Sequence, residues 1–140
     1  MTIVLDAGPL VAMHDRRDRW QEPVERLLRE EPGALVLPAP VSAEVDYLLG
    51  RRLGIGSRRA FLTDLAANRY AVECLEADDY ASVERLESAY AALEPGLADL
   101  SVVLLAARHR TRRLLTFDQR HFRAIRPLQG GAFTLLPADS

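Results

Sequence analysis

"TIVLDAGPL", residues 2–10, carries an apolar, β-branched run into an aspartate and then turns through Gly8-Pro9 into a second apolar stretch. Residues 2–6 have the composition of a buried strand. Pro9 suits the first turn of a helix, where its missing N–H would have had no partner anyway. The chain therefore opens strand then helix, with the charged side chain of Asp6 at the junction.

The same alternation runs outward from this start. Trp20, Val24, Leu27 and Leu28 recur at helical spacing between Asp18 and about Glu31, and Pro32-Gly33 ends that element. Ala34 to Leu37 reads as a second strand. Pro38, Pro40 and Ser42 introduce a helix with Val41, Val45, Leu48, Leu49 and Leu53 on one face, which Gly54 and Gly56 close, and a further helix spans Ser57 to Asn68. Tyr70 to Leu75 is a third strand, and Ala77 to Leu93 a helix with a stripe of Tyr80, Val83, Leu86 and Tyr90. Leu97 to His109 is apolar almost all round, the mark of a buried central helix. Arg113 to Phe117 gives a fourth strand. After a short irregular piece, Ala132 to Leu136 gives a fifth. Strands alternating with helices, without repeat or linker, predict an α/β fold whose mostly parallel sheet is covered on both faces, as one domain over residues 1–140.

Composition narrows the function. A chain of 140 residues, 49% hydrophobic, is long enough for one real core. It has no membrane-spanning run and no signal-peptide pattern, so a cytoplasmic protein is expected. The single cysteine, Cys74, cannot form an internal disulfide and is expected to be buried, and His14, His109 and His121 read as surface or packing residues. The formal net charge of −2 is not that of a strongly basic nucleic-acid binder, yet all 18 basic residues are arginine, many of them clustered. Solvated helix faces explain such clusters, and so does phosphate recognition, to which the planar guanidinium is suited.

Four acids stand where a parallel sheet gathers function, at the carboxyl ends of strands or the starts of helices. Asp6 follows the first strand, and Asp118 follows "RLLTF", with Thr116 two residues earlier. Asp99 shares a face with Val102 and Val103 on the apolar helix, where an unpaired ionised acid is costly. Glu44 borders the stripe of the third helical segment on one side and Asp46 on the other, and periodicity does not choose between them. Each acid has an ordinary explanation as a helix cap or a dipole partner. Together they form a like-charged cluster that needs a cation, and the natural occupant is Mg²⁺ or Mn²⁺, which prefers oxygen ligands.

With those residues in order, the chain resembles the PIN-domain ribonucleases, and specifically the VapC toxins of bacterial toxin–antitoxin pairs. The likeness rests on "IVLDAGPL", "PVSAEVDYLL", "GLADLSVVLLAAR" and "LLTFDQRHF", and covers nearly the whole chain. It implies a PIN-like three-layer α/β/α domain and chooses Glu44 over Asp46. It makes Asp6, Glu44 and Asp99 the main metal-binding group, Asp118 a more peripheral ligand and Thr116 a supporting hydroxyl. Ala7 and Gly8 depart from the pattern, since many relatives carry serine or threonine there.

What the resemblance implies is a metal-dependent endoribonuclease that hydrolyses RNA phosphodiester bonds by a metal-activated water, acting on transfer RNA or ribosomal RNA. Arg112, Arg113 and Arg120, nearest in sequence to Asp118, are expected to position the RNA backbone. A VapB-type antitoxin is the implied partner and a homodimer the implied assembly. A magnesium-binding phosphoacceptor domain is the rival from another class, disfavoured because it would need a lysine. A catalytically inactive PIN scaffold is the other, disfavoured because all four acids are present.

Overall fold

The computed structural model describes residues 1–140. Five strands, β1 (Thr2–Leu5), β2 (Ala34–Pro38), β3 (Ala71–Glu73), β4 (Arg113–Leu115) and β5 (Thr134–Leu136), form one sheet in the order β3-β2-β1-β4-β5, with every neighbouring pair parallel. Parallel pairing requires a crossover between strands. These crossovers carry α1 (Ala7–Ala12), α2 (Gln21–Glu30), α3 (Ala39–Arg52), α4 (Ile55–Ala66), α5 (Asp79–Ala89) and α6 (Leu97–Arg108), and α7 (Gln119–Ala124) lies between β4 and β5. Successive strand residues point to opposite faces, yet Ile3, Val4 and Leu5 are all fully buried. Both faces of the sheet are therefore covered, as continuous apolar strands demand.

The core runs through the sheet and α6. Leu100 through Ala106 are all buried, and α6 packs on β1, β2, α3 and α5. The buried Ser101 satisfies its hydroxyl by donating to the Ala98 carbonyl at 2.6 Å. Gly54, at φ +99°, makes the left-handed break between α3 and α4 that a side chain would resist.

Several expectations need correction. The piece after β4 is not irregular: it contains α7, capped by Asp118 and anchored by the buried Phe122. The helix expected from Asp18 begins at Gln21, with Trp20 at its cap, and the helix expected from Ala77 to Leu93 ends at Ala89 before a single 3₁₀ turn at Ala91–Leu93. Tyr80 is half exposed rather than part of a buried stripe. Cys74 is exposed, because it follows the edge strand β3, where nothing covers it.

Strand order also fixes where a site can form. From β1 the chain steps to β2 on one side, and only later returns to place β4 on the other. The β1/β4 boundary is thus the switch point, and the crevice outside the carboxyl ends of those two strands is where a ligand fits.

Candidate metal centre

Asp6 and Thr116 lie side by side at that switch point because the strand ladder continues past the strands. The Asp6 N–H donates to the Leu115 carbonyl and the Thr116 N–H to the Leu136 carbonyl, each at 2.9 Å. The Thr116 hydroxyl donates to Asp6 Oδ2 at 2.7 Å and accepts from the Asp118 N–H at 2.9 Å. One buried hydroxyl thereby joins the acid after β1 to the acid after β4. Asp118 caps α7, accepting from the His121 N–H at 2.9 Å through Oδ1. Asp99, in the first turn of α6, accepts from the Gly96 N–H at 3.1 Å. Asp6, Glu44, Asp99 and Asp118 line one open cleft of about 340 Å³, walled also by Gly8, Leu48 and Phe117.

The charges in this cleft are poorly compensated. Glu44 has no hydrogen-bond or ion-pair partner, whereas Asp46 on the other side of α3 is paired to Arg58 at 2.8 Å. Burial, and then the fields of Asp99 and Asp118, hold the Asp6 carboxyl above the usual carboxylate range, against the opposing bonds from Thr116 and the Ala7 N–H. Burial, followed by the charges of Asp6 and Asp99, raises Glu44 as well. Acids destabilised in this way are stabilised by a positive charge placed among them.

His121 is not a surface or packing residue. Its Nδ1 lies 2.5 Å from Asp118 Oδ2 and its Nε2 lies 2.8 Å from the Leu93 carbonyl. A carbonyl only accepts, so Nε2 carries a proton, while Nδ1 faces a carboxylate. The bond to Asp118 raises the imidazole pKa above its ordinary value. Ligand atoms of Asp99, Asp118 and His121 lie within 4.8 Å of one another. Both ring nitrogens of His121 are engaged, which leaves carboxylate oxygens as the donors, and these fit a hard divalent cation.

Two of the three arginines expected at this cleft are elsewhere. Arg112 and Arg113 sit at the amino end of β4, the far edge of the sheet from Asp118: Arg113 binds both oxygens of Glu31, at 2.8 and 3.1 Å, and Arg112 donates to the Gly130 carbonyl at 2.7 Å. Arg120, near the start of α7, does lie beside the site, with a 3.5 Å contact to the Leu93 carbonyl. The cleft has instead an arginine that sequence order hid. Arg52 lines it two helical turns after Glu44, and the spacing 44, 48, 52 on one face of α3 is the signal that could have found it.

A parallel sheet with an acidic, cation-fitting cleft at its switch point defines an α/β metal-site domain. Its sequence matches the PIN domain family over residues 3–127. It is also 35% identical over 135 residues to Ribonuclease VapC26 of Mycobacterium tuberculosis, a match that spans 96% of this chain and 100% of that one. The chain belongs to the PIN-domain family, among its VapC members. Its fold is that of the crystal structure of Mycobacterium tuberculosis VapC20, a sarcin-ricin loop cleaving toxin, at a TM-score of 0.76 and 20% identity, covering 83% of this chain and 89% of that one. It is likewise that of VapBC2 from Rickettsia felis, solved bound to a DNA fragment from its promoter, at 0.65 and 17%, covering 96% and 97%.

Proposed function

We propose that the chain is the toxin of a type II toxin–antitoxin pair, an endoribonuclease that hydrolyses RNA phosphodiester bonds with Mg²⁺ or Mn²⁺. The observation that carries this reading is the cleft itself: four carboxylates from β1, α3, α6 and the β4–α7 junction, with no arginine bridging any of them. Asp6, Glu44 and Asp99 would hold the cation and Asp118 would complete the set. When bound, a divalent ion supplies a water activated for attack and neutralises charge on the phosphoryl and leaving oxygens.

The chain's own residues do the positioning. Thr116 orients Asp6 and ties it to the Asp118 backbone. His121 fixes the Asp118 carboxylate from the other side. Gly8 lets the Phe117 ring approach, since a Cβ there would lie 3.2 Å from Phe117 Cδ2. Arg52 and Arg120 stand beside the acids as cations for the RNA backbone, replacing Arg112 and Arg113 in that role. A VapB-type antitoxin is the companion protein and a homodimer the expected assembly. Tyr47, Ile55 and Leu62 on α3 and α4 are exposed apolar surface that a partner would cover. No helix is long and apolar enough to cross a membrane.

The test is cleavage of total RNA by the purified chain, followed by end-group analysis. Water attack at phosphorus breaks the bond to the 3′ oxygen, so the products should carry 5′-phosphates and 3′-hydroxyls, and EDTA should abolish cleavage until Mg²⁺ or Mn²⁺ is restored. Cyclic 2′,3′-phosphate ends, or cleavage that survives EDTA, would overturn the reading.

A further inference from the structure

Beside the acid cleft lies a second cavity, of about 240 Å³, walled by Trp20, Phe117 and Pro137 with Arg19 and Gln119 among its polar groups. The two cavities share a wall. Phe117 borders both, and Thr116, whose hydroxyl holds Asp6, lines the second. Only a side chain's width separates the acids from this aromatic corner. The Trp20 and Phe117 rings lie 5.9 Å apart, tilted by 41°, and form one aromatic corner of this cavity. Phe117 remains 37% exposed although it stands at the centre of the surface the chemistry would use. The Arg19 guanidinium lies 5.3 Å from the centre of the Trp20 ring and has no carboxylate partner.

We infer that this corner is a nucleobase subsite: it takes the base of a nucleotide flanking the scissile phosphate, stacked against Trp20 and Phe117, with Arg19 on the neighbouring phosphate. The inference rests on the ribonuclease reading and extends it to a substrate class. A planar base with an anionic backbone matches an aromatic corner whose cation, Arg19 over the Trp20 ring, has no carboxylate partner. A base can enter only when it is unstacked from its neighbours, so the subsite selects single-stranded or looped RNA over duplex. Gln119 is the group at this wall with amide donors and an acceptor for a base edge.

Trp20 is the only tryptophan in the chain, so its emission reports this corner alone. Wild-type protein in EDTA is titrated with a 5′-labelled single-stranded oligoribonucleotide and with an abasic ribose-phosphate strand of equal length, following tryptophan emission and label anisotropy together. The base-bearing strand should perturb Trp20 emission saturably and the abasic strand should not. Trp20→Leu should weaken RNA binding by about tenfold and Trp20→Phe by less than about threefold, both folded by circular dichroism. Arg19→Ala should reduce the salt slope of binding by about 0.7. RNA that binds by anisotropy without moving Trp20 emission, or equal responses to the two strands, would overturn the subsite and leave the ribonuclease reading standing. RNA that neither binds nor is cut by the metal-loaded wild type would remove both.

Discussion

The amino edge of the sheet and the acid cleft at its carboxyl edge treat charge in opposite ways. At the amino edge, acids are matched by arginines: Glu31, whose side chain is only 5% exposed, is gripped by Arg113, and Arg69 bridges Glu25 at 3.0 Å and Asp64 at 3.2 Å just before β3. In the cleft at the carboxyl edge four acids converge and none is ion-paired to an arginine, although Arg52 lines the same cleft; Asp118 alone is bonded to a basic side chain, His121. The chain has 18 arginines, so cations are not scarce. None of them pairs with an acid of this cleft. Paired acids help hold the amino edge together, whereas acids left without an arginine partner suit a cleft proposed to take a cation from outside the chain.

Substitutions at the carboxyl edge should hit activity hardest. Asp6→Asn or Asp99→Asn should lower RNA cleavage by at least about 10²-fold, read from initial rates on a labelled strand, and should relieve growth arrest on expression. Neither variant should be less stable without metal. Full activity in both folded variants would erase the distinction between the edges. His121→Ala comes next: by freeing the Asp118 carboxylate it should lower metal affinity or activity by about 10- to 100-fold while leaving the product ends unchanged.

At the amino edge the pattern should invert. Arg113→Ala leaves Glu31 buried without its partner and should cost about 3 kcal/mol, roughly 10 °C in Tm by thermal melt, with cleavage per folded molecule unchanged. A loss of activity in the folded variant would return Arg113 to the RNA interface. Arg112→Ala, at the same edge, should change RNA affinity by less than about twofold.

Acidity offers a further contrast. Asp6 and Glu44 bind protons more tightly folded than unfolded. The stability they lend the metal-free protein is therefore present below their ordinary values of 3.8 and 4.5, and is lost as pH rises through the elevated folded values. Asp6→Asn should raise the metal-free Tm by a few degrees at neutral pH, and the gap should close near pH 4. A gap that widens on acidification would reverse the assigned sign.

The sequence carried the carboxyl edge further than the amino edge, for reasons visible in particular residues. Asp6 was legible because a buried strand ends on it, and Asp99 because it interrupts an otherwise apolar helix. Arg112 and Arg113 misled because sequence proximity to Asp118 ignores the strand between: β4 sets its end residues about 7 Å apart, toward opposite edges. Helix α7 was hidden by its length of 6 residues and its single apolar anchor, Phe122, although Asp118 as a cap announces it. His121 could not be placed without α7, which folds it back onto Asp118. Cys74 looked buried as a lone cysteine with no disulfide partner, but it follows β3, an edge strand.

The most direct measurement is Mn²⁺ binding to the purified chain by electron paramagnetic resonance, comparing wild type, Asp99→Asn and Arg113→Ala at neutral pH. Withheld neutralisation at the carboxyl edge predicts saturable Mn²⁺ binding in wild type, its loss in Asp99→Asn, and no change in Arg113→Ala. Wild-type protein that binds no Mn²⁺, or an Asp99→Asn variant that binds it as tightly as wild type, would contradict the claim that these acids await a cation.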